Sequence, residues 1–260
     1  MFNYKIKFVK KPDAIDLSDE NALELIEDYW SVLHLNGQTV GGFDVYKDGE
    51  FIYLTTVVPT EEALLGNFDN EYVRVRLGKI NEFFTFEVIL EGENLEYKDS
   101  CSCEKPTWYY LYSNGKGESP LVCGDCDKPF PLYKITQTRN NKEHDEIIGW
   151  ALANDAMHKL WIHGLWDRFT YREMSMYNSK LNREGRKICK EFEKTLGIAV
   201  YHYIYCFYEQ CSDDECSIVP KGLPNMTPPV CPQCGGEWTD DSIFCKCEKC
   251  RLIADSRVHL

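Results

Sequence analysis

At 260 residues, 27% of them charged, the chain can bury roughly three-quarters of its unfolded surface in one or two cores. No run of about 18 apolar residues occurs, and no basic leader precedes an apolar stretch, so membrane spanning and secretion are not expected and a cytoplasmic protein with reduced thiols is. The net charge of −13 is concentrated in residues 1–100, which hold nine Lys and Arg against 20 Asp and Glu; such a chain repels nucleic acid at long range unless a basic face is segregated.

The sequence predicts an α+β fold. Phe2 to Val9 alternates apolar and polar residues, the period-two pattern of a half-buried strand. A helix follows: Ser18 is a cap, and Ala22, Leu23, Leu25, Ile26, Tyr29, Trp30 and Leu33 recur at helical spacing. Strands are expected over 43–46 and 50–58, joined through Asp48-Gly49, a hairpin turn signal. A helical turn begins at Thr60, residues 73–77 fit either helix or strand, and 83–90 is a further strand. These elements make residues 1–97 an acidic α+β unit, with a ferredoxin-like topology as the expectation.

Residues 98–137 form a first metal-binding hairpin. Cys101 and Cys103 precede the β-prone run Trp108-Tyr109-Tyr110-Leu111-Tyr112, and Pro120-Leu121-Val122 leads back to Cys123 and Cys126. Residues 138–210 are mainly helical, with one helix around Ile147 to Trp161, another from Ser175 to Leu196 stopped by Gly197, and a tyrosine-rich strand from Ala199 to Tyr208. Residues 211–230 are acidic, Pro/Gly-punctuated and linker-like, and 231–260 carry Cys231, Cys234, Cys247 and Cys250.

Each cysteine quartet is two close thiol pairs separated by a loop, the arrangement that wraps four thiolates around one tetrahedral Zn²⁺. Two structural zinc sites are therefore expected, at Cys101, Cys103, Cys123, Cys126 and at Cys231, Cys234, Cys247, Cys250. Cys245 is an alternative to Cys247, but Cys247 and Cys250 repeat the spacing of the first pair, so Cys245 reads as a neighbour. Cys206, Cys211 and Cys216 are not spaced for a third cluster, and Cys189 lies in the apolar stripe of its helix.

Enzyme signatures such as a phosphate loop, a nucleophile elbow or HExxH are absent from the sequence. Asp155, His158, His163 and Asp167 are the best remaining titratable group, and a structural role suits them better. No small-molecule substrate is indicated.

Two charged faces stand out. Asp13, Asp16, Asp19, Glu20, Glu24, Glu27 and Asp28 carry no compensating base in their own segment and suit a basic protein partner. Lys180, Arg183, Lys187, Lys190 and Lys194 recur at steps of three and four on one helix side; they are either a nucleic-acid face or a solvated surface paired with Glu184, Glu191 and Glu193.

The segments SPLVCGDCDKPFPLYKI, GRKICKEFEKTLGIAVYHYIY, CPQCGGEW and FCKCEKCRLIAD resemble a bacterial family of zinc-ribbon-containing proteins of unknown function, described as candidate nucleic-acid binders. The resemblance runs from about Cys101 to the C-terminus and implies Cys231, Cys234, Cys247 and Cys250 as ribbon ligands, with Cys123 and Cys126 a recurrent pair. The chain departs from it in the extra Cys245 and the tail Arg257-Val258-His259-Leu260. The leading expectation is a non-enzymatic, zinc-stabilised acidic factor of immunity or antitoxin type that neutralises a basic protein. The alternative is a nucleic-acid-binding ribbon protein using the basic helix.

Overall fold

The computed structural model describes residues 1–14, 17–135, 144–205, 230–240 and 244–255. The fold is α+β. Chain contacts divide it into two units, one of residues 1–104, 116–121 and 126–148, the other of residues 105–115, 122–125 and 149–260. Asp16, Cys206, Cys211, Cys216, the linker positions 211–229 and the C-terminal tail lie outside the described residues.

The first unit begins with β1 (Phe2–Lys10), α1 (Asp19–Leu35), β2 (Val40–Asp48), β3 (Phe51–Val58), a 3₁₀ turn over Glu61–Leu64, α2 (Glu71–Phe83) and β4 (Phe84–Glu93). The sheet order is β2-β3-β1-β4 with every neighbour antiparallel, which is the split β-α-β of a ferredoxin-like unit. The alternation in β1 sends Tyr4, Ile6 and Phe8 inward, while Lys5 and Lys7 stay half-buried on the opposite face. Ser18 caps α1 by accepting from the Asn21 amide at 3.3 Å, and the helix buries Ala22, Ile26, Tyr29 and Leu33. Complete burial of Ile26 and of Leu33 contributes about 1.5–3 kcal/mol each.

The 73–77 stretch resolves as helix. Its Val-Arg-Val-Arg order mimics a strand, but Asn70 accepts from the Val73 amide at 2.9 Å and starts α2. Val73 and Ile80 then fall on one face and are fully buried.

The remaining elements are β5 (Trp108–Leu111), β6 (Leu121–Cys123), α3 (Asp145–Ile162), α4 (Asp167–Ser175), α5 (Lys180–Leu196), β7 (Ala199–Tyr203), β8 (Thr239–Asp240), β9 (Phe244–Cys247) and β10 (Leu252–Asp255). They give a mixed sheet of order β6-β5-β7-β10-β9-β8, with β7 parallel to both β5 and β10. Period-two alternation puts Trp108, Tyr110, Tyr201 and Phe244 together on one face. His202 points the other way, toward Asn182 of α5.

The helix expected to begin at Ser175 begins at Lys180 instead, and Ser175 ends a separate preceding helix, α4, that the sequence did not signal. Asn182 donates to the Met174 and Met176 carbonyls at 3.1 and 2.8 Å, and the Ser179 hydroxyl donates to Glu173 O at 2.6 Å. These side-chain bonds take the place of backbone helix bonds between α4 and α5. Ser179 then caps α5, accepting from the Asn182 amide, and Gly197 ends it at φ +65°. Among the described residues no helix is long and apolar enough to cross a membrane.

Candidate metal centres

The two cysteine quartets come together as two clusters. In each, Cys101, Cys103, Cys123 and Cys126 or Cys231, Cys234, Cys247 and Cys250, the sulfur atoms lie within 4.8 Å of one another. A metal about 2.3 Å from four tetrahedral sulfurs requires edges of about 3.8 Å, and Cys234 Sγ lies 3.7 Å from Cys247 Sγ. Two cysteines of each cluster are buried and two are half-buried. Cys245 is buried beside the second cluster but does not belong to it. Its backbone pairs with Ala254 and Asp240 in the sheet.

The backbone explains how the thiols converge. Three of the pairs have the form Cys-x-x-Cys, and in all three the next residue, Asp127, Gly235 or Arg251, has φ between +53° and +66°. This left-handed step reverses the chain after the second thiol. In the first C-terminal turn, Gly235 N–H donates to Cys231 O at 2.9 Å and Cys231 N–H donates to Gly236 O at 2.8 Å. Glycine adopts this conformation without strain, whereas Arg251 does so at a cost of about 1–2 kcal/mol. The Arg251 side chain is held by Glu193 at 3.2 Å and Glu248 at 2.8 Å.

Around the first cluster, Gly124 N–H donates to Trp108 O at 3.0 Å. The Asp125 carboxylate accepts from the Thr107 amide and hydroxyl at 2.6 and 2.5 Å. Cys101 N–H donates to Pro129 O at 2.8 Å. The ends of the turn are thus fixed by hydrogen bonds independent of the thiols.

The electrostatics suit a soft divalent cation. The Gly236 amide, and then Cys250, lower the Cys234 thiol to about 7. Burial pushes Cys247 and Cys250 up, and for Cys250 the neighbouring thiols add to it. Four sulfurs this close cannot all ionise unless a cation sits among them. Tetrahedral all-sulfur donor sets hold zinc or iron.

The other sequence-singled residues fall into place differently. Asp155 is buried and bonded to the Ser113 hydroxyl at 2.5 Å; burial raises its carboxyl, against lowering by Ser113 and the Gly115 amide. His158 stacks on Trp161 and Tyr205, with centroids 6.0 and 5.9 Å away. These contacts anchor a loop and pack a helix. Cys189 is buried and donates to Tyr201 O at 3.5 Å, and burial pushes its thiol up.

Both charged faces differ from expectation in their pairing. Asp19 is bridged by Lys47 at 2.6 Å and Asp28 by Arg76 at 3.3 Å, so bases distant in sequence compensate two of the seven acids. Asp13, Glu20, Glu24 and Glu27 are exposed. On α5, Lys180, Arg183, Lys187, Lys190 and Lys194 are exposed, and among the described residues none is in an ion pair. Glu193, expected to pair with them, instead holds Arg251 and accepts from the Val200 amide at 3.2 Å.

The sequence reading missed a cleft of about 820 Å³ beside the second cluster, between α5 and the Cys-x-x-Cys turns. Lys249, inside Cys247-Glu248-Lys249-Cys250, lines it together with Lys190 and Lys194. The only sequence signal was a base inside a ligand turn, which has no meaning until the turn is placed.

Residues 1–91 match a family model described as "Domain of unknown function (DUF8589)", and residues 103–205 match "Domain of unknown function (DUF2310)". A Haemophilus influenzae protein described as "Uncharacterized protein" is 26% identical over 254 residues, covering 92% of this chain and 91% of that one. A second from the same organism is 29% identical over 173 residues, covering 64% and 79%. A crystal structure of an antibiotic biosynthesis monooxygenase covers 36% of this chain and 99% of its own, at 19% identity and a TM-score of 0.27. The descriptions of the two matching families name no metal, so the likeness to zinc-ribbon proteins rests on the cysteine geometry.

Proposed function

We propose that the chain is a non-enzymatic, zinc-stapled binding protein that holds nucleic acid against the basic face of α5. The observation that carries this reading is that the five bases of α5 are exposed and not ion-paired among the described residues. Each is therefore available to a polyanion in spite of the −13 net charge. The metal's part is structural: four thiolates fill a tetrahedral zinc, leaving no position for a water or substrate.

Fluorescence anisotropy with a labelled oligonucleotide tests it. Binding should weaken steeply between 50 and 200 mM salt, with a log–log slope of about −3 for four phosphate contacts on a single strand. Lys187→Glu/Lys190→Glu should reduce affinity by about tenfold or more. Absent or salt-independent binding removes the reading. Zinc is checked by elemental analysis at two atoms per chain, and a visible thiolate-to-iron absorbance would replace zinc with iron.

A second reading is an acidic factor of immunity or antitoxin type that neutralises a basic protein. It is favoured by Glu20, Glu24 and Glu27, which are exposed on α1 at spacings of four and three. A co-purified basic partner whose binding survives Glu20→Lys/Glu24→Lys/Glu27→Lys rules it out.

A further inference from the structure

The cleft of about 820 Å³ has two walls of different origin. One is α5, contributing Arg186, Lys190 and Lys194; the other is the C-terminal cysteine turns, contributing Gln233, Lys249 and Arg251. Its two carboxylates, Glu193 and Glu248, are both taken by Arg251, at 3.2 and 2.8 Å. Arg186 lies over Tyr177 with its guanidinium carbon 3.5 Å from the ring centroid. Lys190, Lys194 and Lys249 are exposed and carry no ion pair among the described residues. Lys190 and Lys194 stand one helical turn apart, so their ammonium groups reach the same edge of the cleft.

We propose that this cleft is a phosphodiester site whose second wall is set by the metal: Lys249 completes it only when Cys247 and Cys250 are drawn onto the ion with Cys231 and Cys234. This rests on the nucleic-acid reading and goes beyond it in making the C-terminal metal a condition of binding. Lys249 sits between two ligand cysteines; the far end of that turn is tied to α5 through Arg251, and the cation is what draws the thiols, and with them the Lys249 end, together. Arg251 is the strut, bonded through Glu193 to α5 and through Glu248 to its own turn.

The test uses the full chain and a labelled oligothymidylate. Lys249→Glu, an exposed change that should keep both metals, is expected to weaken binding about tenfold and flatten the salt slope by about one. Cys231→Ser, whose side chain does not line the cleft, should hold one metal fewer and weaken binding at least as much. Unchanged affinity in Lys249→Glu beside a loss in Lys180→Glu/Arg183→Glu overturns the cleft and leaves the nucleic-acid reading standing. Full affinity in a Cys231→Ser protein shown to have lost one metal overturns the metal dependence. If the wild-type protein does not bind the oligonucleotide at 50 mM salt, the nucleic-acid reading falls and the cleft proposal with it.

Discussion

Gly124 packs against the indole of Trp108 so closely that a Cβ built on it would lie 1.9 Å from Cε2. The other indole contacts come from the sheet: Lys246 lies 3.6 Å above the ring, and Tyr201 and Phe244 meet it edge-on, 5.5 and 6.2 Å away between centroids. One tryptophan therefore joins the Cys123–Cys126 turn to the aromatic face on which β9 lies. The cysteine spacing fixes where the turn is, and Trp108 fixes what it rests on.

Gly124→Ala should push the turn off the indole and destabilise the protein by about 1–3 kcal/mol, the usual range for overpacking. Urea unfolding followed by tryptophan fluorescence measures it, together with the rate at which a chromogenic chelator takes up metal. A midpoint equal to the parent's would show that the turn does not depend on this contact.

Gly185→Ala sets two effects against each other. Alanine in a helix interior is favoured over glycine by about 1 kcal/mol. A Cβ at 185, however, would meet His202 Cε1 at 2.4 Å, Nδ1 at 2.7 Å and Trp150 Nε1 at 2.9 Å. Trp150 Nε1 already donates to Leu181 O at 3.0 Å and cannot withdraw without losing that bond. The clash should win, giving a net loss of stability; a stabilised variant would contradict this packing.

His202 is expected to make the protein acid-sensitive. Its Nε2 lies 2.9 Å from Asn182 Oδ1, whose amide orientation is fixed by its own two donations, so Nε2 carries the proton and buried Nδ1 has no partner. Burial, with Arg186 nearby, lowers His202 to about 3. The unfolded chain binds a proton below about 6.5 and the folded chain does not until about 3, so unfolding takes up a proton in that window. Stability should fall as pH drops through it, by about 1.4 kcal/mol per pH unit from this group. His202→Gln should have a shallower decline of the urea midpoint between pH 7 and 5. Metal loss in acid affects both proteins, so equal slopes would remove His202 as the cause.

Arg251→Gly and Arg251→Ala separate backbone from side chain. Both lose the bonds to Glu193 and Glu248, but glycine relieves the φ of +53°. Alanine should be the less stable by about 1 kcal/mol, read from the urea midpoints. Equal midpoints would mean that the turn after Cys250 relaxes freely.

Chelation should act locally. Excess chelator is expected to release two metal ions per chain and to weaken the protection of the β9–β10 amides from hydrogen exchange. The β1–β4 amides should hold, since Ile6, Phe8, Leu54 and Ile80 give that sheet its own core. Equal loss of protection in both sheets would show the first unit to depend on metal.

Much was legible in the sequence because it was local. Alternation in 2–10, the Ser18 cap and the hairpin signal at Gly49 each act within a few residues, so most of the first unit could be read directly, although the loop is Gly49-Glu50 and Asp48 stays in β2, paired with Phe51. Three of the four cysteine pairs were legible for the same reason, since two-residue spacing already fixes the geometry of a cysteine turn; Cys101 and Cys103, one residue apart, were legible only as a close pair. Other features depend on residues far apart in the chain. The parallel pairing of β7 with β10 joins residues 202 and 252, Lys47 and Arg76 neutralise Asp19 and Asp28 across the fold, and Glu193 turns from its helix neighbours to Arg251. The sequence by itself marked two four-cysteine sets and an α+β chain, because the spacing within a cysteine pair and the periodicity of an element are both short-range. Only the tertiary structure decided which charges remain unpaired and that Lys249 faces Lys190 and Lys194, because charge pairing depends on distances in space that sequence separation does not set.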